Sequence, residues 1–359
     1  MFVGDSTTAG VGAGNGTGVN PTITGARPLS FPIKARDRLV SLGINAISDT
    51  INADNNNGIL AVDWNEYRPE IVITGTLASY SQGPTAGGLI ARINTGATFD
   101  FTTAAACDTI KMWHPRNTLL GVCGFQVDGG AVTNITQTGA DGIFQTTLTF
   151  PLGTHTFRFT RVSGIPTIPN AMTAYNSAVP SVQIMNAGGR QWTSGRNIAL
   201  NNTEPYWNDN SAFTKPLPSI TSVAPDVLVI SIGINNVRQA GFDVNTMVSD
   251  IQAIANTATA ANAACKIILV LPTMISNYIS WTAAQMLSAY QGLIVSNPTW
   301  LFVNTGEVLA VAAGVNPATW VGLNANGYVT GADPLHLNGA AYAILGSAIG
   351  DAIKTALGL

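Results

Sequence analysis

The chain has 359 residues, of which 10% are charged and 46% are hydrophobic, and 16 Lys and Arg against 19 Asp and Glu leave a net charge of −3. That length suffices for one large domain or two ordinary ones. Without a basic run, the chain lacks the positive surface that holds a phosphate backbone, which excludes nucleic acid as the main partner. We expect neither a membrane span nor a signal peptide, because no apolar stretch approaches roughly 20 residues and no basic segment precedes an apolar one.

The first predicted elements are a short strand and a helix, separated by a glycine-rich stretch. Residues 1–4 form an apolar run that ends in Gly4. A Ser-Phe-Pro sequence ending at Pro32 is typical of a helix start, because proline fits the first helical turn. The sequence predicts a strand at 1–4 and a helix from about residue 31 to about residue 42.

The C-terminal half of the chain alternates between strand and helix patterns. Short runs rich in β-branched residues are typical of a parallel sheet that is buried on both faces. This alternation predicts an α/β domain with a mostly parallel sheet. The strand patterns lie at 182–185, 227–232 and 266–271, and the helical patterns lie at 246–264, 282–295 and 339–357.

The middle of the chain has a different texture. From about residue 67 to 167, short alternating segments are broken by Gly, Asp and Asn, and helical periodicity is absent. Short strands at regular intervals with turn signals predict a β-sandwich. We therefore expect an α/β domain formed by residues 1–62 and 172–359, with an all-β sandwich inserted at residues 63–171.

Only three histidines could serve as a general base near neutral pH. His114 and His155 fall in predicted sandwich strands, where we expect structural roles, with His155 at the surface. His336 lies just before the last predicted helix, and Asp333 precedes it by three residues. That spacing lets the Asp333 carboxylate accept the second N–H of the His336 imidazole. In a catalytic triad, an acid orients the base in this way while the base activates a nucleophile.

Candidate partners for His336 follow predicted strands elsewhere in the chain. Ser6 follows the first strand, and functional groups collect beyond the carboxyl ends of strands in open parallel sheets. No Gly-Lys-Ser/Thr follows it, which argues against a phosphate-binding loop. Gly188 and Asn235 also follow strand patterns. A glycine N–H and a side-chain amide are both suitable donors to a developing oxyanion.

Taken together, these residues resemble the four signature blocks of the SGNH hydrolases, also called GDSL esterases. Gly4-Asp5-Ser6 matches the nucleophile block, and Asp333-Pro334-Leu335-His336 matches the Asp-x-x-His block. Gly188 matches the glycine block, with the adjacent Gly189 as an alternative. The segment 233–236 matches the Gly-x-Asn-Asp block, except that Asn236 replaces the usual Asp.

The resemblance implies a flavodoxin-like three-layer α/β/α fold and a serine esterase. In that family pattern Ser6 is the nucleophile, His336 the base and Asp333 its orienter. The oxyanion hole comprises the Ser6 N–H, the Gly188 N–H and the Asn235 side chain. The middle segment resembles carbohydrate-binding-module-like jelly rolls, which accompany esterases that remove acetyl groups from polysaccharides. This implies an acylated glycan as the substrate, no cofactor, no metal and an extracellular or secreted location.

Aromatic residues after the glycine block are candidate sugar contacts, because sugars stack on flat apolar faces and this loop should overhang the site. They are Trp192, Tyr206 and Trp207. The inserted sandwich either binds glycan, or it only shapes the rim of the site or mediates assembly. Cys107 and Cys123 both fall within it, so a disulfide between them stays open, as does a reduced pair.

Other functions remain open at this point. A lipid or aryl esterase, or an acyltransferase, would use the same residues. A glycan-binding or virion structural protein with a vestigial site would fit the low-charge composition, which is rich in Asn, Thr and Gly. The sequence does not indicate the sugar, the acylated position or the oligomeric state.

Overall fold

A computed structural model describes residues 1–10, 27–52, 70–85, 88–169, 171–188, 194, 208, 216–237, 243–272, 283–314, 328–330 and 333–359. The chain divides into two compact units. Unit 1 comprises Met1–Ile44, Asn186–Asp209 and Ala224–Leu359, and unit 2 comprises Asn45–Met185 and Asn210–Val223.

Unit 1 contains a five-stranded parallel sheet. Its spatial order is β15-β1-β16-β17-β18. The central strands are fully buried along most of their length, as β-branched runs in a parallel sheet should be. The strands are β1 Phe2–Gly4, β15 Asn186–Gly188, β16 Val227–Ser231, β17 Lys266–Leu271 and β18 Leu301–Asn304.

Four helices of unit 1 agree with the sequence patterns to within a turn: Phe31–Ser41, Val244–Ala261, Ala283–Ser296 and Gly339–Leu357. The helix Thr305–Ala313 was not predicted. Three helices of unit 1 begin at an Asp or Asn whose side chain accepts a backbone N–H of the first turn, which satisfies an otherwise unpaired donor. The longest, α8, packs on α2 and against the sheet. The helices are α1 Ser6–Ala9, α2 Phe31–Ser41, α4 Ile234–Val237, α5 Val244–Ala261, α6 Ala283–Ser296, α7 Thr305–Ala313 and α8 Gly339–Leu357, and α3 Pro216–Val223 belongs to unit 2. A short 3₁₀ turn covers Arg27–Leu29.

One predicted strand of the parallel sheet is misplaced. The apolar run at 182–185 contributes only β14 Val182–Gln183, which pairs with β2 Ala46–Ile47 outside that sheet. The strand that joins β1 is Asn186–Gly188. Its three small or polar residues carry no hydrophobic pattern, so sequence periodicity favoured the more apolar run before it.

Unit 2 contains two antiparallel sheets that share one hydrophobic core. The five-stranded sheet has the order β10-β9-β12-β7-β4, and the four-stranded sheet has the order β11-β8-β13-β3. Phenylalanines of the first sheet and Ile110, Met112 and Met172 of the second lie in the same buried cluster, which is how two sheets pack face to face. The strands are β3 Thr50–Asn52, β4 Ile71–Thr74, β7 Thr98–Thr102, β8 Cys107–Arg116, β9 Val122–Val127, β10 Thr133–Thr136, β11 Gly142–Gly153, β12 Thr156–Ser163 and β13 Ala171–Tyr175. A separate hairpin joins β5 Leu77–Thr85 and β6 Gly88–Ile93.

The bounds of unit 2 are wider than the 63–171 expected from sequence. The strand β3 precedes residue 63, yet it pairs with β13 at the edge of the four-stranded sheet. Three residues of β3 are too few for sequence to assign it to a sheet whose other strands follow much later in the chain.

Within unit 2, Cys107 and Cys123 are buried and are not joined by a disulfide. Burial raises the pKa of the Cys107 thiol to about 11 and that of the Cys123 thiol to about 12.

None of the helices in the described ranges is both long and apolar enough to cross a membrane.

Candidate active site

The site is organised around the carboxyl end of β1. Gly4, its last residue, lies opposite Gly188 of β15 on one side and Ser231 of β16 on the other. Ser6 follows two residues later as the first residue of α1. A Cβ on Gly4 would lie 2.0 Å from Thr8 Oγ1 and 2.2 Å from Ser231 O, so only glycine allows α1 to turn back so tightly over the strand. The register thus brings the serine block beside the glycine block and beside the strand that leads to Asn235.

Asp5 holds the turn that presents Ser6. Its Oδ1 accepts hydrogen bonds from Thr7 N at 3.0 Å and from Thr7 Oγ1 at 2.8 Å, the pattern by which Asp stabilises a turn into a helix. Asp5 is fully buried. Burial raises the pKa of its carboxyl, while the Thr7 hydrogen bonds, the charge of His336 and the Ile234 N–H all oppose that rise. Sequence analysis assigned Asp5 no role, although its position between Gly4 and Ser6 was a signal.

Gly188 packs directly on α1. A Cβ there would lie 2.3 Å from Ala9 N and 2.6 Å from Thr8 C, both backbone atoms. Asn186 bridges the same two elements, because its Nδ2 donates to Thr8 O at 3.0 Å and its Oδ1 accepts the Gly188 N–H at 2.9 Å. The N–H that sequence assigned to the oxyanion hole therefore already has an acceptor. Gly189, the alternative donor, lies outside the described residues.

The turn that leads to Asn235 packs against α6. Gly233 has a φ of 137°, a conformation that favours glycine, and a Cβ on it would lie 2.8 Å from Met286 Cε of α6. Tyr290, also on α6, donates its hydroxyl hydrogen to Ile232 O. Asn235 follows in α4 and is 8% exposed. Nothing in the sequence around Tyr290 indicated that α6 would support this turn.

Asn236, beside Asn235, belongs to a buried polar cluster. Its Oδ1 accepts the Ser194 N–H at 3.1 Å, and its Nδ2 donates to Ser194 Oγ at 2.8 Å. Ser194 Oγ donates to Asp250 Oδ2 of α5 at 2.9 Å. Asn208 Nδ2 donates to Asp250 Oδ1 at 2.7 Å. We call these four residues the Asp250 cluster; sequence analysis identified neither Ser194 nor Asp250.

His336 lies on β20 Asp333–Leu337, which pairs with β19 Val329–Thr330. Thr330 pairs with Asp333, and the neighbouring residue Val329 pairs with Leu337. The three residues between Asp333 and Leu337 therefore have no partner in β19 and form a bulge. Regular strand alternation would place positions 333 and 336 on opposite faces, and a bulge re-aims side chains. His336 is partly exposed, and its charge lowers the pKa of Asp5. The last block therefore approaches the end of β1.

The predicted site residues divide into those the structure brings together and those it leaves undescribed. Ser6, Gly188 and Asn235 lie at or just after the carboxyl ends of strands of the parallel sheet, and His336 influences the pKa of Asp5 at the same edge. The side chains of Ser6 and Asp333 lie outside what the structure describes, as do Trp192, Tyr206 and Trp207. Among the described residues, no group of three or more His, Cys, Asp and Glu has the arrangement of a metal site.

The other two histidines are buried within unit 2. His114 is inaccessible, its Nε2 lies 3.0 Å from Thr146 Oγ1, and burial lowers its pKa to about 4. His155 is 8% exposed, so it is not the surface residue expected from sequence. Its two ring nitrogens lie 2.6 Å from Asp128 Oδ2 and 2.8 Å from Pro151 O.

Comparison with family models finds no match to this chain, and comparison with curated proteins finds none either. Among solved structures, a peptidoglycan O-acetylesterase is similar, with a TM-score of 0.59 and 15% identity over 99% of this chain and 89% of that chain. A carbohydrate esterase family 2 enzyme with a carbohydrate binding domain from Corynascus thermopiles (Myceliophthora fergusii) has a TM-score of 0.38 and 14% identity over 79% of this chain and 100% of that chain. A family two carbohydrate esterase from Cellvibrio japonicus has a TM-score of 0.35 and 10% identity over 86% and 97%. The chain shares the fold of the peptidoglycan O-acetylesterase.

Proposed function

We propose that this chain is a serine esterase of the SGNH type that removes acetyl or another small acyl group from a carbohydrate. One observation carries the proposal: segments far apart in sequence meet at one point. Gly4 lies between Gly188 and Ser231, and the Ile234 N–H and His336 both act on the carboxyl of Asp5, next to Ser6. Carboxyl ends of parallel strands are where such sheets bind ligands.

In the proposed first step, Ser6 Oγ attacks the carbonyl carbon of the ester. His336 takes the proton from the hydroxyl as the new C–O bond forms, and Asp333 orients the imidazole and stabilises its positive charge. The carbonyl oxygen becomes an oxyanion. When the tetrahedral intermediate collapses, the sugar oxygen leaves with the proton that His336 returns, and the acyl group stays on Ser6.

In the second step, water resolves the acyl-serine. His336 removes a proton from the water, and the hydroxyl adds to the acyl carbon. Collapse releases the free acid and returns the proton to Ser6 Oγ. The chemistry needs no cofactor and no metal.

The oxyanion is stabilised by the Ser6 N–H, the Asn235 side chain and a glycine N–H after β15. Preorganised donors of this kind are worth about 10²–10³ in rate each. Because the Gly188 N–H donates to Asn186 Oδ1, it would have to share its hydrogen with the oxyanion. Otherwise the Gly189 N–H supplies this donor.

The shared fold supports a polymeric carbohydrate as the substrate. One solved structure with that fold is named a peptidoglycan O-acetylesterase, so acetylated peptidoglycan is the first polymer to test. Trp192, Tyr206 and Trp207 are the proposed sugar contacts. A polymer of this kind lies outside the cytoplasm, which supports an extracellular or secreted location, and unit 2 is the proposed glycan-binding module.

The test compares hydrolysis of p-nitrophenyl acetate by the wild type and by Ser6→Ala. We expect Ser6→Ala to lose at least about 10⁴-fold in kcat, because the nucleophile is gone, with an unchanged Tm as the control for folding. Acetate release from acetylated peptidoglycan, xylan and a bacterial exopolysaccharide then identifies the polymer. An added glycan acceptor that gains the acetyl group would indicate an acyltransferase. Equal activity in Ser6→Ala, or none in either protein, would contradict the proposal.

A further inference from the structure

The four residues of the Asp250 cluster are joined by a closely connected set of hydrogen bonds. Both carboxylate oxygens of Asp250 accept a hydrogen bond, and both ends of the Asn236 amide contact Ser194. The Asn208 N–H also donates to Ser194 O at 2.7 Å. Ser194 and Asn236 are inaccessible and Asp250 is 6% exposed, so losing any one of these partners would leave a buried polar group unsatisfied.

The direction of the hydrogen bonds in the cluster is determined by the chemistry of the groups. An ionised carboxylate only accepts, so Ser194 must give its single hydroxyl hydrogen to Asp250. The Ser194 oxygen then accepts, and the Nδ2 of Asn236 supplies the hydrogen. A carboxylate at position 236 has no hydrogen to give, so the Asp that is usual there in SGNH enzymes would not fit beside Asp250.

We propose that Asp250 is a positioning residue for the oxyanion site. Through Ser194 it fixes Asn236, and thereby the turn that carries Asn235. Through Asn208 it holds a second point of the chain segment that follows Gly188, next in sequence to Trp207. The catalytic part of this inference rests on the proposed esterase function, because Asn235 acts only if an oxyanion forms.

Burial has the largest effect on the pKa of the Asp250 carboxyl. It raises this pKa, and the hydrogen bonds from Asn208 and Ser194 oppose that rise. A second carboxylate placed at position 236 would face the first across one serine hydroxyl. Two such acids share a proton, and the pKa of the pair's second ionisation rises strongly.

The hydrogen-bond chain can be reversed without losing a bond. In the double variant Asn236→Asp/Asp250→Asn, the new Asp accepts both the N–H and the O–H of Ser194. The new Asn donates its Nδ2 hydrogen to Ser194 Oγ and accepts from Asn208. Each single variant breaks the cluster, because Asp250→Asn removes the acceptor of the Ser194 hydroxyl hydrogen and Asn236→Asp places two acceptors on that one hydrogen. The double variant should therefore recover what the single variants lose.

The kinetic experiment measures kcat and KM for p-nitrophenyl acetate in the wild type, both single variants and the double variant. We expect each single variant to lose about 10-fold or more, mainly in kcat, and the double variant to recover most of that loss, as for residues in one network. Asp243→Asn is the matched control, because it removes a carboxylate from the start of the same helix and keeps a good N-cap residue. Wild-type kcat in Asp250→Asn, or losses that multiply in the double variant, would overturn the proposal.

The pH profile adds a readout that a general loss of stability would not reproduce. In Asn236→Asp, a shared proton restores the missing donor at low pH. We therefore expect the activity of this variant relative to wild type to fall as pH rises through the raised pKa of the pair. Asp250→Asn and the double variant lack the second acid, so their activity relative to wild type should not show this fall. A flat ratio for Asn236→Asp would overturn the proposal.

Limited trypsin digestion tests the cluster independently of catalysis. Arg190 and Arg196 flank Ser194 in sequence, and mass spectrometry can follow cleavage after each. We expect faster cleavage in both single variants and a wild-type rate in the double variant and in Asp243→Asn. If the wild type proves inactive on esters, the proposed function fails, and this result still decides whether Asp250 holds the segment. Equal cleavage in wild type and Asp250→Asn would overturn the proposal.

Discussion

A histidine and an aspartate lie close together in both units, but in different settings. In unit 2, His155 is enclosed between Asp128, Pro151 O and the ring of Phe150. Both of its ring nitrogens face oxygen atoms of the protein, so neither is left to move a proton to or from a substrate. His155 ties β12 to the turn that carries Asp128.

In unit 1, His336 is partly exposed and lies on a strand bulge. It is near enough to Asp5, beside the candidate nucleophile, to influence the pKa of that carboxyl. The comparison teaches that a His–Asp pair by itself does not indicate catalysis. The two histidines differ in solvent access and in whether a candidate nucleophile, Ser6, lies nearby in the fold.

The largest contrast should come from replacing each histidine. We expect His336→Ala to lose at least about 10³-fold in kcat with little change in Tm, because it removes the proposed general base from a partly exposed position. His155→Gln should keep wild-type kcat and lose about 1–3 kcal/mol in the free energy of unfolding, because buried groups lose hydrogen bonds. Ester hydrolysis and urea unfolding measure the two effects. The distinction is wrong if His155→Gln abolishes activity in a folded protein.

Asn235 tests the oxyanion assignment at the same strand ends. We expect Asn235→Ala to lose about 10²–10³-fold in kcat with a small change in KM, because the lost donor acts mainly on the transition state. Asn235→Asp is the matched control for size, and it should be equally impaired because a carboxylate cannot donate. Full activity in Asn235→Asp would remove this residue from the oxyanion hole.

Two glycines of unit 1 differ in how closely other atoms surround the position of an added Cβ. We expect Gly188→Ala to destabilise the protein by about 1–3 kcal/mol, because its Cβ would meet backbone atoms that cannot move away without shifting α1. Gly292 lies on the exposed side of α6, and among the described residues no atom beyond the backbone of its own helix lies within 4 Å of the position of an added Cβ. Gly292→Ala should therefore stabilise the protein by about 0.5–1 kcal/mol. Urea unfolding measures both. Equal effects would mean that α1 does not pack on Gly188 as described.

The smallest effect concerns Asp128, which is 52% exposed at its side chain. Hydrogen bonds from Thr156 N and His155 hold its pKa below the usual value. An acid with a depressed folded-state pKa stabilises the protein above its unfolded pKa of about 4, and this contribution disappears as pH falls through the folded value.

We therefore expect Asp128→Asn to be less stable than wild type by under about 1 kcal/mol at pH 7, since solvent screens an exposed pair. The Tm difference should close as the pH falls below about 4. Asn tolerates the positive φ of this position, so the substitution removes the carboxylate without straining the backbone. A Tm difference that persists at low pH would assign the loss to something other than the carboxylate.

Sequence was informative where a pattern is local. The helices α2, α5, α6 and α8 follow from apolar periodicity, and α2 also from the proline in its first turn. β16 and β17 follow from their β-branched runs. The candidate residues Ser6, Gly188, Asn235 and His336 came from short sequence motifs, each of which is local.

Sequence-based prediction failed for strands whose place in a sheet depends on their pairing partner rather than on their own composition. Asn186–Gly188 is a sheet strand only because β1 accepts it as a neighbour, and β3 joins its sheet through a partner more than a hundred residues away. Asp250 looked like an ordinary polar residue of α5 until tertiary packing buried it against Ser194 and Asn236.

The sequence by itself predicted the helices α2, α5, α6 and α8 and the strands β16 and β17, and it supplied the candidate residues of the proposed site, since propensity and periodicity act over a few residues. Tertiary structure alone decided which of these residues meet. It placed Gly4 between Gly188 and Ser231, enclosed His155, brought His336 near Asp5, and built the Asp250 cluster from three separate segments. Strand register and buried hydrogen bonds join residues distant in the chain, and no local pattern records them.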